Sequence, residues 1–391
     1  MNDRQNSGII FAIKNFLTMR KPLKILMLLN VLLPLSVFSS TSISFDPVNY
    51  QALPDWDCGN QMYAYQALQL SCKVILKNTH YNLDWINSCQ NILSTPAHTD
   101  RRAREMLEKN FTPYLVRYDD KTEGLFTGYY APAIAGSLYR SAEFSVPIYR
   151  TPKDLIQKKT SSSTQFGRMV DGKLIPYYTR EEISKNNYLS KEDVIAWVSS
   201  RIERTFLQIQ GSGRIELENG DSILVGYDSQ NGHPYRPIGR YLIENGLMPR
   251  NEITMQSIKK WLYDHPEEAD KVLNYDPSFV FFRTLSHGNP IGAQGVPLTP
   301  GYSIAIDSKF YQYGTPVWLS SSYHKPNQKI HKLDRLLIAQ DTGGAIRGAI
   351  RGDVFWGSGS DAEYHAGHMK NLGKMFVLLP KSNALNFVSN D

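Results

Sequence analysis

The last third of the sequence constrains the fold most, because it is a succession of short strand-like segments. After "PSFVFFR" the chain runs through "YSIAID", "TPVWLS", "DRLLIAQD", "DVFWG" and "KMFVLLP", with Gly or Pro turns between them. No long helical pattern is visible among them. Short strands separated by such turns are typical of a small all-β barrel or sandwich, which we predict here.

An earlier segment, "LFTGYYAP" from Leu125 to Pro132, has the same strand-like and turn-like texture. The strand near Phe126–Tyr130 can pair with the strands of the last third. That pairing makes residues 131–282 an insertion within one domain. We see no internal repeat and no low-complexity linker, only a polar loop at "KKTSSSTQ".

Residues 56–118 have a different pattern, with apolar residues three and four apart, which predicts helices. Thr99 precedes "DRRAREMLEKNF" and is a plausible N-cap. The sequence therefore predicts a mainly β fold with α segments. The predicted division is a signal peptide or N-terminal extension at 1–44, a catalytic domain with a helical N-terminal part at 45–130 and 283–385, and an inserted smaller β-rich domain at 131–282.

Within the insertion, "FLQIQGSGRIELENGDSILVGY" predicts a hairpin with its turn at Asn219-Gly220. Gln208 and Gln210 alternate with apolar residues, so both amides would face one side of a strand. Such amides suit N-acetyl and hydroxyl groups. The alternative is an ordinary solvated strand face.

Helices are predicted elsewhere in the insertion. Ser190 and Asp193 form a capping-box pattern before a helix from Val194 to Arg201. Pro237 opens "PIGRYLIENG", and "TMQSIKKWLYDH" forms a further helix that ends at a proline.

The N-terminus explains most of the net charge of +6, because residues 1–44 alone carry a net +4. "MRKPLKILMLLNVLLPLSVFSSTS" begins at Met19 with a short basic stretch, continues as an apolar run from Ile25 to Phe38 and ends in small residues. This is the order of a signal peptide, and an uncleaved anchor is the alternative. Either reading predicts an exported, periplasmic protein. The body has no basic patch of the kind that binds nucleic acid.

Export permits a disulfide, and the three cysteines are Cys58, Cys72 and Cys89. The odd number leaves one thiol unpaired. We interpret them as structural, with Cys72 and Cys89 as the pair to test. They are too few, and lack a His partner at ligand spacing, for a zinc site.

"AQDTGGAIRGAIRGDVFWGSGS", from Ala339 to Ser360, is dense in glycine and contains two aspartates twelve positions apart. Glycine permits tight turns and close approach of other atoms. One interpretation is that the glycines serve turns and the aspartates are turn formers. The segment lacks the Lys-Ser/Thr ending of a nucleotide-binding loop.

Asp353 differs from an ordinary turn residue because it stands beside Val354, Phe355 and Trp356. Desolvation by such neighbours favours a protonated carboxyl, as a general acid requires. Asp341 ends the run "LLIAQ" and Asp307 ends "YSIAI". These three aspartates, each at a strand edge, can converge at one mouth of a barrel.

Seven collinear segments from about Leu125 to Pro380 strongly resemble the membrane-bound lytic murein transglycosylase A family. They are "FTGYYAP", "QIQGSGRI", "NGHPYRPIGRYLI", "PSFVFFR", "GVPLTPGYSIAID", "QDTGGAIRGAIRGDVFWGSG" and "AEYHAGHMKNLGKMFVLLP". Many members of that family are outer-membrane lipoproteins, whereas no cysteine directly follows the apolar run here.

The resemblance implies a double-psi β-barrel with an inserted domain and a deep groove between them. It implies cleavage of the β-1,4 bond between N-acetylmuramic acid and N-acetylglucosamine in peptidoglycan, without water, to leave 1,6-anhydromuramic acid ends. Asp353 corresponds to the catalytic acid, with Asp341 and Asp307 beside it. The expected partner is the glycan strand, bound by a monomer without cofactor or metal, with the outer membrane or a wall-synthesis complex as further candidates.

A single carboxyl suffices for this reaction. Asp353 would protonate the leaving oxygen and then accept the proton of the sugar's own 6-hydroxyl. Asp341 and Asp307 would either hold loops or stabilise positive charge. The residues expected to contact the substrate are Thr127, Tyr129, Tyr130, Gln208, Gln210, Tyr235, Arg236 and Trp356.

Other interpretations remain open from the residues alone. A glycan-binding barrel without catalysis would have no need of a desolvated acid. A water-using glycosidase would give reducing ends, and an aspartic peptidase would want a second Asp-Thr-Gly loop. His365 and His368 lie three apart in "YHAGH", where capping or packing is favoured over metal binding.

Overall fold

The computed structural model describes residues 43–159, 164–186, 188–286, 288–325 and 330–382. Nearly all of the predicted signal peptide segment lies outside these ranges. Among the residues that are described, no helix is long and apolar enough to cross a membrane.

The elements alternate between helical and extended stretches. Helices α1 to α9 are Gln61–Ile75, Leu83–Ser94, Asp100–Asn110, Arg180–Lys185, Arg201–Gln210, Ile238–Glu244, Met255–Asp264, Pro266–Asn274 and Ser360–His368. Strands β1 to β9 are Ile43–Pro47, Phe111–Tyr118, Glu123–Ala131, Ala133–Ser137, Val146–Tyr149, Ile156–Lys159, Thr164–Val170, Lys173–Ile175 and Val194–Val198. Strands β10 to β17 are Ser212–Leu217, Ser222–Gln230, Val280–Leu285, Ser303–Ile306, Pro316–His324, Ile330–Asp341, Arg351–Ser358 and Lys370–Pro380.

Helices α1, α2 and α3 confirm the predicted helical N-terminal part. The Thr99 hydroxyl accepts a hydrogen bond from Arg102 N at 3.2 Å and caps α3, as the sequence indicates. The helical region ends at Asn110, earlier than predicted, and the next eight residues form β2. Their β-branched and aromatic side chains pair well in a sheet.

A disulfide between Cys72 and Cys89 joins α1 to α2 and confirms the predicted pairing, while Cys58 is free and exposed. Helix α1 is also tied to the sheet. Gln340 Nε2 on β15 donates a hydrogen bond to Ser71 Oγ at 2.9 Å. The N-terminal helices are thus fixed both to one another and to the strand that ends at Asp341.

The larger sheet has eight strands in the order β1-β2-β17-β14-β15-β13-β16-β3. Because β3 also pairs with β17, six strands form a closed circuit of hydrogen-bonded neighbours. Its inner side is apolar, with Phe126, Ile304, Val354 and Val377 fully buried in one cluster. Trp318 packs instead in the cluster that includes the N-terminal helices. The predicted pairing of the segment near Phe126 with the C-terminal strands is confirmed.

A second sheet, in the order β12-β11-β10-β4-β9-β5, is made of strands that lie between Ala133 and Leu285. The β10–β11 hairpin turns at Asn219-Gly220, as predicted, and Gly220 has a φ of +88°. Strands β6, β7 and β8 form a third, small sheet. Strand β12 crosses the predicted domain boundary between residues 282 and 283.

Two local predictions are wrong. Residues 207–210 end helix α5, and the strand begins only at Ser212. The Ser190 cap precedes a single 3-10 turn, after which Val194–Val198 is strand β9. The described part of the last third contains no long helix among its strands, but the short helix α9 lies between β16 and β17. Other residues mark the two ends of helix α5. Ser200 caps its N-terminus, and Gly211 ends it at a φ of +77°.

Candidate active site

One register row of the larger sheet crosses five strands and carries both aspartates of the glycine-rich segment. Lys370 on β17 pairs with Thr127 on β3, which pairs with Asp353 on β16. Asp353 pairs with Ala305 on β13, which pairs with Asp341 on β15 after a register shift. Cross-strand partners project to the same side of a sheet. Asp353 and Asp341 therefore share the outer face of the circuit, about 10 Å apart along the row.

Asp353 is held by a hydrogen-bond chain on this row. The Thr127 hydroxyl lies 2.6 Å from Asp353 Oδ1, and Arg351 Nη2 donates to the same hydroxyl at 2.8 Å. Burial raises the pKa of Asp353, while the charge of Arg351 and the hydrogen bond from Thr127 oppose that shift. The carboxyl thus favours its protonated form, as the sequence indicates for a general acid.

The predicted apolar surroundings of Asp353 are only partly correct. Val354 projects to the inner side of the circuit, where it is fully buried. Trp356 shares that side and packs against Tyr323, with ring centroids 5.0 Å apart. Only Phe355 lies on the outer face, in a cluster with Ala305. The alternation of strand β16 separates these neighbours, so Trp356 does not line the face that carries Asp353.

Asp341 ends β15 and accepts three hydrogen bonds. Tyr129 donates its hydroxyl to Oδ2 at 2.7 Å, and the backbone N–H groups of Ala293 and Thr342 donate to Oδ1 at 2.9 Å each. Burial raises the pKa of Asp341, and the charge of Asp353 adds to the rise, whereas the three donors oppose it. Burial also raises the pKa of Tyr129 well above its usual value, so its hydroxyl remains a donor.

Asp307 has a different environment, because within the described residues the donors to its carboxylate are backbone N–H groups. Oδ1 accepts from Lys309 at 3.2 Å and Oδ2 from Gly348 at 2.9 Å. The side chain is 3% exposed. Asp307 thereby ties the turn after β13 to the glycine-rich loop between Asp341 and Asp353.

Tyr235, which lies between strand β11 of the second sheet and helix α6, approaches the glycine-rich loop. A Cβ at Gly344 would lie 3.5 Å from Tyr235 Cβ, which is ordinary contact. Burial raises the pKa of Tyr235, and the charges of Asp276 and Asp353 add to the rise. Tyr235 is therefore within electrostatic range of Asp353. Its neighbour Arg236 is exposed, donates its backbone N–H to Asp276 and places its guanidinium 6.0 Å from a tyrosine ring centroid.

The predicted glutamine pair does not form, because both residues lie on helix α5, where positions two apart face different directions. Gln208 is buried, with its Oε1 2.5 Å from Arg180 Nη1 and its Nε2 2.9 Å from Val280 O. Gln210 Oε1 accepts from Tyr130 N at 3.0 Å. Tyr130 itself is buried against helix α9. These three side chains connect elements of the protein, away from the row of Asp353.

The two histidines of "YHAGH" contact backbone oxygens, one on strand β14 and one within helix α9. His365 Nδ1 lies 2.8 Å from His324 O, and His368 Nδ1 lies 2.8 Å from Tyr364 O. Across the described ranges, no group of three or more His, Cys, Asp or Glu side chains is placed to hold a metal ion.

Sequence reasoning missed Arg351 and Lys370. Arg351 lies two positions before Asp353, so a strand from Arg351 to Asp353 puts both on one face, and that spacing was a usable signal. Lys370 lies beside Thr127 only through the pairing of β17 with β3, which no local pattern indicates.

Comparison with known proteins gives consistent results. The model of the "MltA specific insert domain" matches residues 125–283, and that of the "3D domain" matches residues 302–379. The membrane-bound lytic murein transglycosylase A of Escherichia coli K12 is 34% identical over 269 residues, which are 68% of this chain and 68% of the relative. A homologue from Buchnera aphidicola is 35% identical over 256 residues, 64% of this chain and 65% of that one.

Solved structures of lytic transglycosylases are also similar to this chain. MltA from Neisseria gonorrhoeae is 30% identical with a TM-score of 0.73, covering 87% of this chain and 94% of that one. The Agrobacterium tumefaciens membrane-bound lytic murein transglycosylase is 28% identical with a TM-score of 0.78, covering 86% and 98%. E. coli MltA with bound chitohexaose is 26% identical with a TM-score of 0.64, covering 87% and 92%. The chain therefore belongs to the membrane-bound lytic murein transglycosylase A family.

Proposed function

We propose that this protein cleaves the β-1,4 bond between N-acetylmuramic acid and N-acetylglucosamine in peptidoglycan and leaves 1,6-anhydromuramic acid ends. The observation that carries the proposal is Asp353, whose pKa burial raises on the outer face of the strand circuit. The names of its relatives, lytic murein transglycosylases, support the reaction class. The chitohexaose bound to the E. coli enzyme supports a β-1,4-linked N-acetylated glycan as ligand.

The hydrogen-bond chain at Asp353 fixes where its proton lies. Arg351 can only donate, so the Thr127 oxygen accepts from it and the single hydroxyl proton points to Asp353 Oδ1. In the protonated acid the proton is therefore on Oδ2. We therefore propose Oδ2 as the atom that gives its proton to the glycosidic oxygen.

The reaction needs one carboxyl and no water. Asp353 Oδ2 gives its proton to the glycosidic oxygen as the bond from that oxygen to C1 of N-acetylmuramic acid breaks. Positive charge develops at C1. The 6-hydroxyl oxygen of the same sugar bonds to C1, and its proton passes to the Asp353 carboxylate. The protonated acid is thus restored, and the attack gains from being intramolecular.

Asp341 is proposed as the ionised partner that stabilises the positive charge at C1. Three hydrogen-bond donors favour its charged form and oppose the rise in its pKa that burial and the neighbouring Asp353 cause. Those donors occupy both oxygens of Asp341, which leaves it poorly placed to activate a water. Asp307 is proposed as a loop-holding residue, since the donors that the described chain supplies to its carboxylate are backbone N–H groups.

The finer architecture is proposed as a double-psi β-barrel, formed by the closed circuit of six strands, with the second and third sheets in an inserted domain. The contact of Tyr235 with the loop at Gly344 supports a groove between the two. Thr127, Tyr129 and Tyr235 are the proposed groove residues on this side.

The site of action is proposed to be the periplasm, because the substrate is the cell wall and residues 19–44 have a signal-peptide pattern. The relatives are named as membrane-bound enzymes, which supports association with the envelope.

Digestion of purified peptidoglycan in ¹⁸O-labelled water tests the reaction. The proposal predicts anhydro ends that carry no ¹⁸O, from the wild type and from an Asp221→Asn control in the β10–β11 turn. Reducing ends that carry ¹⁸O would instead mean a water-using glycosidase. Binding of peptidoglycan without release of fragments would mean a glycan-binding protein.

A further inference from the structure

The outer face that carries Asp353 continues toward β17 as an exposed surface of different chemistry. On the next register row, Leu372 of β17 pairs with Leu125 of β3, which pairs with Arg351 of β16. Leu125 is 37% exposed and Leu372 is 67% exposed. Two exposed leucines therefore lie side by side, one row from the proposed acid.

Lys370, which also lies on β17, is at the end of the register row that carries Thr127 and Asp353. Its side chain is exposed, and no ion pair joins it to the described part of the chain. Arg351, in contrast, directs its guanidinium to Thr127 and to the backbone oxygens of Leu125 and Gly352. Lys370, Leu372 and Leu125, which we term the β17 patch, thus combine one free ammonium with an aliphatic surface.

On the other side of Asp353, toward Asp341, the outer face carries aromatic residues. Tyr129 and Phe355 pack with ring centroids 5.2 Å apart on the outer face near Asp341, and Tyr235 approaches the loop at Gly344. Phe355 is fully buried and Tyr129 is only 8% exposed, so the part-exposed Tyr235 is the ring here that can contact a sugar. The β17 patch has no aromatic ring, and an ammonium beside leucines suits a carboxylate-bearing chain with small apolar side chains.

We propose that the β17 patch binds the acidic stem peptide carried by the lactyl group of the N-acetylmuramic acid that is being cut. This inference rests on the proposed function. Lys370 is two strands from Asp353, roughly 10 Å along the row, which two or three extended residues can span. The ammonium of Lys370 pairs with a carboxylate of the peptide, and Leu125 and Leu372 contact its apolar side chains.

The test compares two soluble substrates, glycan strands that carry stem peptides and the same strands after removal of the peptides by an amidase. Lys370→Ala and Leu372→Asn are each expected to raise KM for peptide-bearing strands about threefold, and the double variant about tenfold. KM for bare strands and kcat for both are expected to stay at wild-type values. Leu83→Asn, at an exposed leucine of α2, is the matched control.

Ionic strength adds a second readout. The preference of the wild type for peptide-bearing strands should fall as salt rises, and that of Lys370→Ala should not. Equal changes with both substrates, or no change with either, would overturn the proposal. A rise in KM for peptide-bearing strands that appears in Arg236→Ala, but not in the Lys370 and Leu372 variants, would also overturn it. Because bare strands are still cut if only the patch is wrong, its failure differs from failure of the proposed function, in which neither substrate gives anhydro products.

Discussion

The Thr127 hydroxyl lies 2.6 Å from Asp353 Oδ1 and 2.8 Å from Arg351 Nη2. It therefore accepts from the cation and donates to the acid. This single hydroxyl sets the orientation of the proposed acid and moderates its pKa, since a donor to the charged form lowers the pKa of a carboxyl.

Thr127→Val is expected to lower kcat/KM about 10- to 100-fold, because a hydrogen bond to an ionised group is lost. It should also raise the pKa of Asp353 further. In the proposed mechanism activity requires protonated Asp353, so the limb of the pH profile at which activity is lost with rising pH should move upward. Thr127→Ser keeps the hydroxyl and should stay near wild type in both respects. An unshifted profile in Thr127→Val would show that the hydroxyl has no role in setting this pKa.

Asp341→Asn is expected to lower kcat at least about 100-fold while KM changes little, because its charge is proposed to act on the transition state. An anionic neighbour raises the pKa of a carboxyl, so a neutral amide should also move the loss of activity to lower pH. Steady-state kinetics across pH on soluble glycan strands measures both effects. Asp341→Glu serves as the comparison that keeps the charge. A selective rise in KM would assign Asp341 to ground-state binding instead.

Asp353→Asn is expected to stabilise the folded protein at neutral pH. Burial raises the folded-state pKa of Asp353 above its unfolded value, so the folded state holds more protons between the two values. Stability therefore falls as pH rises through that window. Below the unfolded pKa, near pH 4, the carboxyl has no such effect. Thermal unfolding should show a higher midpoint for the variant at pH 7.5 and a midpoint equal to that of the wild type below pH 4. A destabilised variant at pH 7.5 would contradict the sign.

Removal of the disulfide by Cys72→Ala with Cys89→Ala should lower the free energy of unfolding by about 3 kcal/mol, as expected for a loop of this size. The bond closes a separation of 17 residues between α1 and α2. Cys58→Ser should change nothing, because that thiol is free and exposed. Urea unfolding with and without a reductant measures the difference, and the variant should become insensitive to the reductant. An unfolding curve of the wild type that a reductant does not alter would argue against the bond.

Gly344 tests the contact across the proposed groove. Gly344→Ala should be nearly neutral, since its Cβ would lie 3.5 Å from Tyr235 Cβ. Gly344→Phe should displace Tyr235 and raise KM for glycan strands with little change in the unfolding midpoint. Tyr235→Ala should give a similar rise, and adding it to Gly344→Phe should raise KM little more. Additive effects would place the two residues in separate sites.

The sequence predicts features whose signals are local or chemically strong. The hairpin at Asn219-Gly220 is predicted because this pair favours the backbone conformation of a tight turn. The start of α3 is predicted because the Thr99 hydroxyl can cap a helix. Asp353 and Asp341 were found because each is an acid within or at the end of an apolar strand. Gln208 and Gln210 were misplaced because "FLQIQ" fits both an alternating strand and the last turn of a helix.

Long-range register accounts for what the sequence did not predict. The row from Lys370 to Asp341 depends on four strand pairings, one of them shifted at Ala305. No local pattern specifies that shift, and none indicates that Ala305 lies between Asp353 and Asp341 in the row. The role of Tyr129 as donor to Asp341 likewise requires β3 and β15 to be brought to one face, which only the assembled sheet achieves.

We propose that Asp353 alone supplies the acid and the base for water-free cleavage. Mass spectrometry of the muropeptides released from purified peptidoglycan by the wild type, Asp353→Asn and Asp341→Asn tests it most directly. We expect 1,6-anhydromuramic acid products from the wild type, a reduced amount of the same products from Asp341→Asn, and none from folded Asp353→Asn. Anhydro products from Asp353→Asn at the wild-type rate would rule out Asp353 and move the catalytic role to another carboxyl.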